Sequence, residues 1–180
     1  MQNTFSSLTF APLTLTYQVV EPLDFPDYPG SMLRGLFGTV LMDMEKNEKV
    51  SPVGKQKLSA LLFQNKLSKN HPWHAEYTEP PRGYWITPDG MNKQQCMAGD
   101  TFAVTFTLCG DYSGWFELLL PVFIQMGKTG FGAEKRKCRL LSVSQVHPHG
   151  YSRYVWDSSR PQAVSEVFSI AYDDFTSAQF

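Results

Sequence analysis

The hydrophobic residues of this chain repeat with two different periods, and the order of these periods is the strongest constraint on its fold. From Leu8 to Val19, apolar residues occupy mostly every second position, which is the spacing of a strand with one buried face. From Met32 to Met44 they recur at spacings of one, three and four, which places them on one helical face. Thr101 to Leu108 alternates again, so strands and helices are interleaved.

Further segments complete this series of elements. Tyr84 to Thr87 predicts a short strand that pairs with Thr101 to Leu108 as a hairpin. Ser113 to Met126 has the length and apolar content of a buried helix, which we expect Pro121 to kink or divide. Cys138 to Val146 predicts another strand near the end of the series.

Local signals set the expected boundaries of these elements. Pro12 indicates a break or a sheet edge within the first strand. Ser31 is the candidate cap of the first helix, because it follows a segment rich in proline. A second short helical pattern, Lys55 to Phe63, starts just after Pro52. The polar, proline-rich stretch from Lys66 to Arg82 predicts a surface loop.

The order strand, helix, strand, strand, helix, strand is that of the ferredoxin-like fold. This α+β plan has a four-stranded antiparallel sheet with two helices on one face. We assign it to residues 1–150 and expect residues 151–180 to form a C-terminal extension or the start of a second module. The chain of 180 residues carries a net charge of −1, so any site for a polyanion must be local.

The cysteines and the hydropathy of the chain exclude several classes of protein. Cys96, Cys109 and Cys138 form no CxxC pair, so the sequence indicates neither a disulfide framework nor a zinc ribbon. The longest apolar stretch, Leu118 to Ile124, is far shorter than a membrane span, and the N-terminus lacks the basic region of a secretion signal. We therefore predict a cytoplasmic protein that does not associate with membranes.

The segment MGKTGFGAEKRKCR, Met126 to Arg139, is the most informative candidate site. It combines three glycines with a local charge of +4. Glycines let a backbone approach a phosphate, and Lys and Arg supply the charge that holds it. The alternative is a plain helix-to-strand turn with a solvated basic rim, and the spacing of a Walker A loop is absent. The expected phosphate contacts are Lys128, Lys135, Arg136, Lys137 and Arg139.

Two other segments carry candidate residues. Gly35 and Gly38 lie within the first predicted helix, where close packing against the sheet is the favoured reason for glycine. Arg34 interrupts the apolar face of that helix and suits either an internal carboxylate or a phosphate. His71 and His74 lie in the predicted surface loop, and an imidazole can take a proton from a ribose hydroxyl without a metal.

Five segments, taken in order, resemble a known family. They are Tyr28-Pro29-Gly30 leading into LRGLFG at 33–38, Leu62-Phe63, PPRGYWITP at 80–88, GDTFAVTFTLCG at 99–110 and MGKTGFGAEKRKCRLLSV at 126–143. Together they are similar to the CRISPR repeat-RNA processing endoribonucleases of the RAMP superfamily, of the Cas-six type. The resemblance covers roughly residues 10 to 146.

This resemblance implies a ferredoxin-like, RNA-binding endoribonuclease. Such enzymes cleave precursor CRISPR RNA within its repeats without a metal, by attack of a 2′-hydroxyl that leaves a cyclic phosphate. A histidine usually acts as the base, and the implied candidate here is His74, ahead of His71. The basic loop would hold the RNA, with Arg34 as a further contact. No cofactor is implied, and the partners are CRISPR repeat RNA, other CRISPR-associated proteins or a second RAMP module.

Two alternatives stay open at this point. The first is a non-catalytic RAMP subunit or fusion module that binds crRNA in an effector or spacer-acquisition complex. The second is a ferredoxin-like domain that senses a small ligand or pairs protomers, which predicts no affinity for RNA. The salt dependence of RNA binding distinguishes the second alternative from the RNA-binding interpretations, because phosphate contacts make affinity for RNA fall steeply with ionic strength.

Overall fold

A computed structural model describes residues 8–49, 57–63, 82–91, 95–161, 166–171 and 174. The strands are β1 (Thr9–Val19), β2 (Leu23–Asp24), β3 (Tyr84–Asp89), β4 (Gln95–Cys96), β5 (Thr101–Cys109), β6 (Cys138–Val146), β7 (Ser152–Asp157) and β8 (Ile170–Ala171). The helices are α1 (Pro29–Lys46), α2 (Leu58–Phe63) and α3 (Phe116–Thr129), and a short 3-10 helix (Gly110–Trp115) precedes α3. Within these residues, no helix has the length and apolar content needed to cross a membrane.

The main sheet confirms the predicted fold class. Its strands follow one another in the order β3, β5, β1, β6 and β7, and all these neighbours are antiparallel. Strands β1, β3, β5 and β6, with α1 and α3 between them, give the ferredoxin-like order along the chain. The sheet has six strands rather than the predicted four, because β7 and β8 join it.

The two additional strands come from residues after 150. Strand β7 returns alongside β6 as a hairpin, with Ser152 opposite Val146. Strand β8 places Ile170 opposite Phe10 near the start of β1. The edge of a sheet exposes backbone donors and acceptors, and β7 satisfies those of β6. Whether residues 151–180 also lead into a second module stays a prediction.

The core lies between the sheet and the helices. Leu13, Leu15 and Tyr17 alternate along β1 and are fully buried, as the period of two predicts. Phe37 of α1 packs edge-on against Phe106 of β5, with ring centroids 4.9 Å apart. Because α1 and α3 also contact each other, both helices lie on this same face.

Three prolines act differently from the simplest expectation. Pro12 does not break β1, and β1 is not an edge strand. The pairing of β1 with β6 begins only at Thr14, so no hydrogen bond to β6 requires the backbone N–H that proline lacks. Helix α1 begins at Pro29, ahead of Ser31, because proline suits the first helical position. Pro121 does not divide α3, since it lies on the exposed side where water reaches the freed carbonyl.

Candidate functional site

The glycine-rich segment forms a tight hairpin between α3 and β6. Phe131 and Arg136 each donate a backbone hydrogen bond of 2.9 Å to the carbonyl of the other. Lys135 donates to the carbonyl of Gly132 at 3.2 Å and closes the turn. We refer to residues 127–139 as the basic hairpin. Its ordered shape fits both open interpretations, a phosphate-contacting loop and a turn with a basic rim.

Close backbone approaches explain two glycines of the basic hairpin. A Cβ atom at Gly127 would lie 2.6 Å from the carbonyl oxygen of Cys138 in the adjoining strand. At Gly130, where φ is 99° and ψ is 153°, a Cβ atom would overlap the carbonyl oxygen of Lys135. Only glycine adopts this backbone conformation readily. The fold itself therefore requires both glycines, whether or not a phosphate binds.

A buried aromatic ring anchors the basic hairpin to the core. Phe131 is fully buried, with its ring centroid 5.0 Å from Tyr17 and 5.2 Å from Phe102. The hydroxyl of Tyr17 donates in turn to the carbonyl of Phe123 in α3 at 2.8 Å. The anchor holds the exposed hairpin tip in one position relative to the sheet.

Three of the predicted RNA contacts are exposed lysines on successive parts of this hairpin. Lys128 lies in the last turn of α3, and Lys135 lies at the hairpin tip. The ammonium of Lys137 donates to the carbonyl of Thr129 at 2.9 Å, where the helix ends. The Glu21 carboxylate accepts the backbone N–H of Lys137 at 2.8 Å, but no ion pair to the Lys137 ammonium is present among the described residues.

The two predicted arginine contacts differ in charge compensation. The guanidinium of Arg139 is exposed and donates to the neutral side-chain amide oxygen of Gln18 at 2.9 Å. Arg136 is half-buried, and its Nε donates to the carboxylate of Glu134 at 2.7 Å within an ion pair. Glu134 therefore offsets the charge of Arg136, whereas Arg139 forms no ion pair with any of the described residues.

A cleft of about 390 Å³ lies beside the basic hairpin. The small sheet of β2 and β4 forms one wall, with Asp24 and Cys96, and Gly132 and Arg136 of the hairpin form the other. Burial raises the pKa of the Cys96 thiol, and nearby carboxylates raise it further. The cleft therefore combines an arginine, a carboxylate and a protonated thiol at neutral pH.

The other two cysteines are also free thiols. Burial raises the pKa of the Cys109 thiol to about 11. Burial is also the main reason why the pKa of the Cys138 thiol is raised to about 12. Because the thiolate is the reactive form, both side chains are poor nucleophiles at neutral pH. In the part of the chain that the structure describes, no cluster of three metal-ligating side chains is present.

Arg34 lies away from the basic hairpin. It is exposed on α1 and lines a groove of about 440 Å³ with Arg82, Phe63 and Tyr84. We call this the arginine groove. Strand β3 is at one edge of the sheet and β6 is on the other side of the central strand, so the two regions are separate. The structure therefore does not bring all six predicted RNA contacts together.

The predicted close packing of the α1 glycines against the sheet is wrong. Among the residues that the structure describes, no atom outside the helix lies within 4 Å of the position that a Cβ atom would take at Gly35. At Gly38 the nearest atom belongs to the ring of Phe63, at an ordinary 3.7 Å. Residues such as Leu33 and Phe37 face the sheet instead, because the helical period turns the glycines to the side.

The two candidate catalytic histidines, His71 and His74, lie outside the described residues. The nearest described residue before them is Phe63 and the nearest after them is Arg82. Both of these residues line the arginine groove. The assignment of a catalytic base therefore stays a prediction.

Comparison with known proteins places the chain in a family. The model of the family AF_1859_N, described as an N-terminal domain, matches residues 8–167. The chain belongs to this family. A search of the curated proteins gives no match.

Among solved structures, this AF_1859_N domain is similar to a chain in the crystal structure of the Csm3-Csm4 subcomplex in the type III-A CRISPR-Cas interference complex. The two are 14% identical, with a TM-score of 0.42, over 93% of this chain and 94% of the other. A likeness this weak establishes neither a shared fold nor a shared function. The fold of the AF_1859_N domain is established by its own strand order.

Sequence reasoning missed two features of the AF_1859_N domain. Phe131 is its hairpin anchor, yet a single phenylalanine among glycines has no periodic neighbours that would signal burial. Arg82 and Tyr84 meet Arg34 only in the folded chain. The adjacent aromatic and basic residues at 82–85 were a possible signal, but the sequence pattern predicted only that Tyr84 begins a short strand.

Proposed function

We propose that this domain binds CRISPR repeat RNA through the basic hairpin. The observation that supports this function is that one anchored hairpin, in a chain with a net charge of −1, carries four cations that have no ion-pair partner among the described residues. They are Lys128, Lys135, Lys137 and Arg139. Contacts to phosphate supply most of the sequence-independent affinity of proteins for nucleic acids.

The distribution of the cations favours a polymer over a single phosphate. Lys128 is at the end of a helix, Lys135 at a hairpin tip and Arg139 in a strand, so the charges are spread along the hairpin. A chain with regularly spaced phosphates can contact several of these side chains at once. The neighbouring cleft of about 390 Å³ offers room for a base turned out of the chain.

The finer part of the proposal is cleavage of precursor CRISPR RNA within its repeats. A ribose 2′-hydroxyl would lose its proton to an imidazole, His74 ahead of His71, and its oxygen would attack the adjacent phosphorus. The bond to the 5′-oxygen then breaks, and that oxygen takes up a proton. The products are a 2′,3′-cyclic phosphate and a 5′-hydroxyl. The sequence resemblance supports this step.

The binding proposal is tested with labelled repeat RNA over a range of salt concentrations. We expect the double substitution Lys128→Ala and Lys135→Ala to weaken binding and to reduce the slope of log affinity against log salt by about 1.4 for single-stranded RNA. The matched control removes the same charge from two exposed lysines, Lys46 at the end of α1 and Lys49 just beyond it. Equal effects of the two double variants would contradict the proposed role of the hairpin.

Cleavage is tested by incubating the same RNA with the protein in EDTA and identifying the product ends. We expect one cut per repeat with a cyclic phosphate end, and His74→Ala to slow it by about 10²- to 10⁴-fold without loss of binding. His149→Ala is the control, because His149 is an exposed histidine near the end of β6. Tight, salt-sensitive binding without cleavage by the unmodified protein would instead identify a non-catalytic RNA-binding subunit.

A further inference from the structure

The arginine groove contains a buried hydroxyl without a hydrogen-bond partner. Only 5% of the surface of Tyr84 is exposed, and its hydroxyl oxygen is buried with no partner within hydrogen-bonding geometry in the described structure. Buried polar groups are normally hydrogen-bonded, and leaving one unpaired is destabilising. Burial raises the pKa of Tyr84, so the phenol keeps its proton at neutral pH.

Among the described residues, this hydroxyl has no hydrogen-bond acceptor in bonding geometry, and two positive charges act on it. Hydrogen-bonding interaction with the Arg82 side chain and the positive charges of Arg82 and Arg34 partly offset the effect of burial on the pKa of Tyr84, so both guanidinium groups act on its hydroxyl. A guanidinium group has donors only, so neither arginine can accept the phenolic proton. Among the described residues, neither arginine forms an ion pair with a carboxylate. The group that completes this arrangement is an anion.

The floor of the groove provides independent support for a ligand. Gly35 lies in the middle of α1 and is exposed, with open space where its Cβ atom would be. A glycine inside a helix costs about 1 kcal/mol relative to alanine. No element of the described structure uses the space that Gly35 leaves. A bound group that approaches the helix backbone would use that space.

The aromatic residues hold one arginine in place. The guanidinium carbon of Arg82 lies 5.8 Å from the ring centroid of Phe63, and that ring packs edge-on against Tyr84 at 5.9 Å. This contact keeps the charge of Arg82 on the same side of the groove as the hydroxyl. Two guanidinium groups and one phenol provide donors from three residues, which suits a tetrahedral phosphoryl group better than a planar carboxylate with two oxygens.

We propose that the arginine groove is a binding site for a phosphoryl group, with Arg34 and Arg82 as charged donors and the Tyr84 hydroxyl as a neutral donor. The phosphoryl group belongs either to an RNA chain or to a small phosphorylated ligand, since both present the same oxygens. The inference does not depend on RNA binding by the basic hairpin. It assigns to Arg34 a site separate from the five hairpin residues.

Calorimetric titration of the 180-residue protein tests this site. The probes are inorganic phosphate, adenosine 5′-monophosphate and a short oligoribonucleotide with or without a 5′-terminal phosphate. We expect Tyr84→Phe and Arg34→Gln each to weaken binding of at least one phosphorylated probe by about tenfold. The matched controls are Tyr154→Phe and Arg160→Gln, because both residues are exposed and lie outside the groove. We expect neither control to change the affinity.

The pattern across the probes identifies the source of the phosphoryl group. A loss confined to inorganic phosphate and the mononucleotide supports a small phosphorylated ligand. A loss for the oligoribonucleotide supports an RNA phosphate, and dependence on the 5′-phosphate would assign its terminus. The Lys128→Ala and Lys135→Ala variant should keep its affinity for inorganic phosphate, which separates failure of this site from failure of the hairpin.

Stability provides the second readout. Because the Tyr84 hydroxyl has no partner among the described residues, we expect Tyr84→Phe to leave the thermal unfolding midpoint unchanged or to raise it. A lower midpoint would show that the hydroxyl is satisfied within the protein and would overturn the inference. Unchanged affinities of both groove variants for every probe, or no binding of any probe at millimolar concentration, would also overturn it.

Discussion

The basic hairpin and the arginine groove are both positively charged, and each lies against a buried tyrosine, but only one tyrosine is satisfied. Tyr17 beneath the hairpin donates to the carbonyl of Phe123 at 2.8 Å, whereas the hydroxyl of Tyr84 in the groove has no partner in the described structure. Burial raises the pKa of both phenols. The comparison teaches that the hairpin satisfies its buried hydroxyl within the fold, while the groove leaves one unsatisfied among the described residues.

The glycines of the two regions differ in the same way. Gly127 and Gly130 are required because backbone atoms would overlap a side chain there. Gly35 and Gly38 meet no such obstacle. A glycine-rich, basic segment can therefore reflect chain geometry in one place and open space in another, and counting residues does not distinguish the two.

The largest effect is expected when the hairpin loses its anchor. Phe131→Ala should lower the free energy of unfolding by about 3 to 5 kcal/mol, because a fully buried ring leaves a cavity. Urea unfolding measures the change. Phe63→Ala in the arginine groove is the counterpart, and its half-buried ring should cost less. A smaller loss of stability for Phe131→Ala than for Phe63→Ala would contradict the role of Phe131 as the anchor of the hairpin.

Gly130→Ala should lower the free energy of unfolding by a smaller amount, about 3 kcal/mol. The substitution combines an unfavourable backbone conformation with overlap against the carbonyl oxygen of Lys135. Gly132→Ala is the control, since φ is 74° there but the nearest atom to a Cβ is a methyl carbon of Leu23 at 3.6 Å. We expect it to cost about 1 kcal/mol. Similar values for both variants in urea unfolding would show that the close approach does not matter.

Removing the hydroxyl group should change the free energy of unfolding differently for the two tyrosines, by about 1 kcal/mol. Tyr17→Phe loses a buried hydrogen bond and should destabilise by about 1 kcal/mol. Tyr84→Phe loses no such bond and should be neutral or stabilising. Both rings are retained, so packing changes little. Equal destabilisation in thermal unfolding would mean that the two hydroxyls have equivalent environments.

The smallest expected effect is a gain in stability. Gly35→Ala should stabilise the protein by about 0.5 to 1 kcal/mol, because alanine favours the helix and its methyl group meets open space. Urea unfolding measures this change, and the same substitution should weaken any ligand that uses the space. A loss of stability would show that the groove is more closely packed than the structure indicates.

Much of the fold was predictable because it depends on local pattern. The alternation in β1 and β5 identified their buried faces, and the spacing in α1 identified Leu33 and Phe37 as core residues. The order of these elements then gave the ferredoxin-like plan. The added strand β7 was not predicted, because its pairing with β6 depends on a free sheet edge that exists only in the folded protein.

The candidate sites were predictable only in part. Charge density along the chain identified the basic hairpin, since its five basic residues lie within 14 consecutive positions, 126–139. The sequence did not indicate that Glu134 pairs with Arg136, whereas the other four cations have no ion pair in the part of the chain that the structure describes. Charge pairing depends on side-chain direction, which the hairpin geometry decides.

The sequence by itself determined the order of strands and helices and the location of the basic segment, because each follows from residues that are near neighbours. It also determined the absence of a global positive charge, because net charge depends on composition alone. Only the tertiary structure decided what the glycines do and which distant residues meet. Arg34 and Tyr84 come together because α1 packs against β3, and the unpaired hydroxyl arises from that packing. Hydrophobic burial is non-directional, so a pattern predicts that a residue is buried but not which polar groups are left without partners.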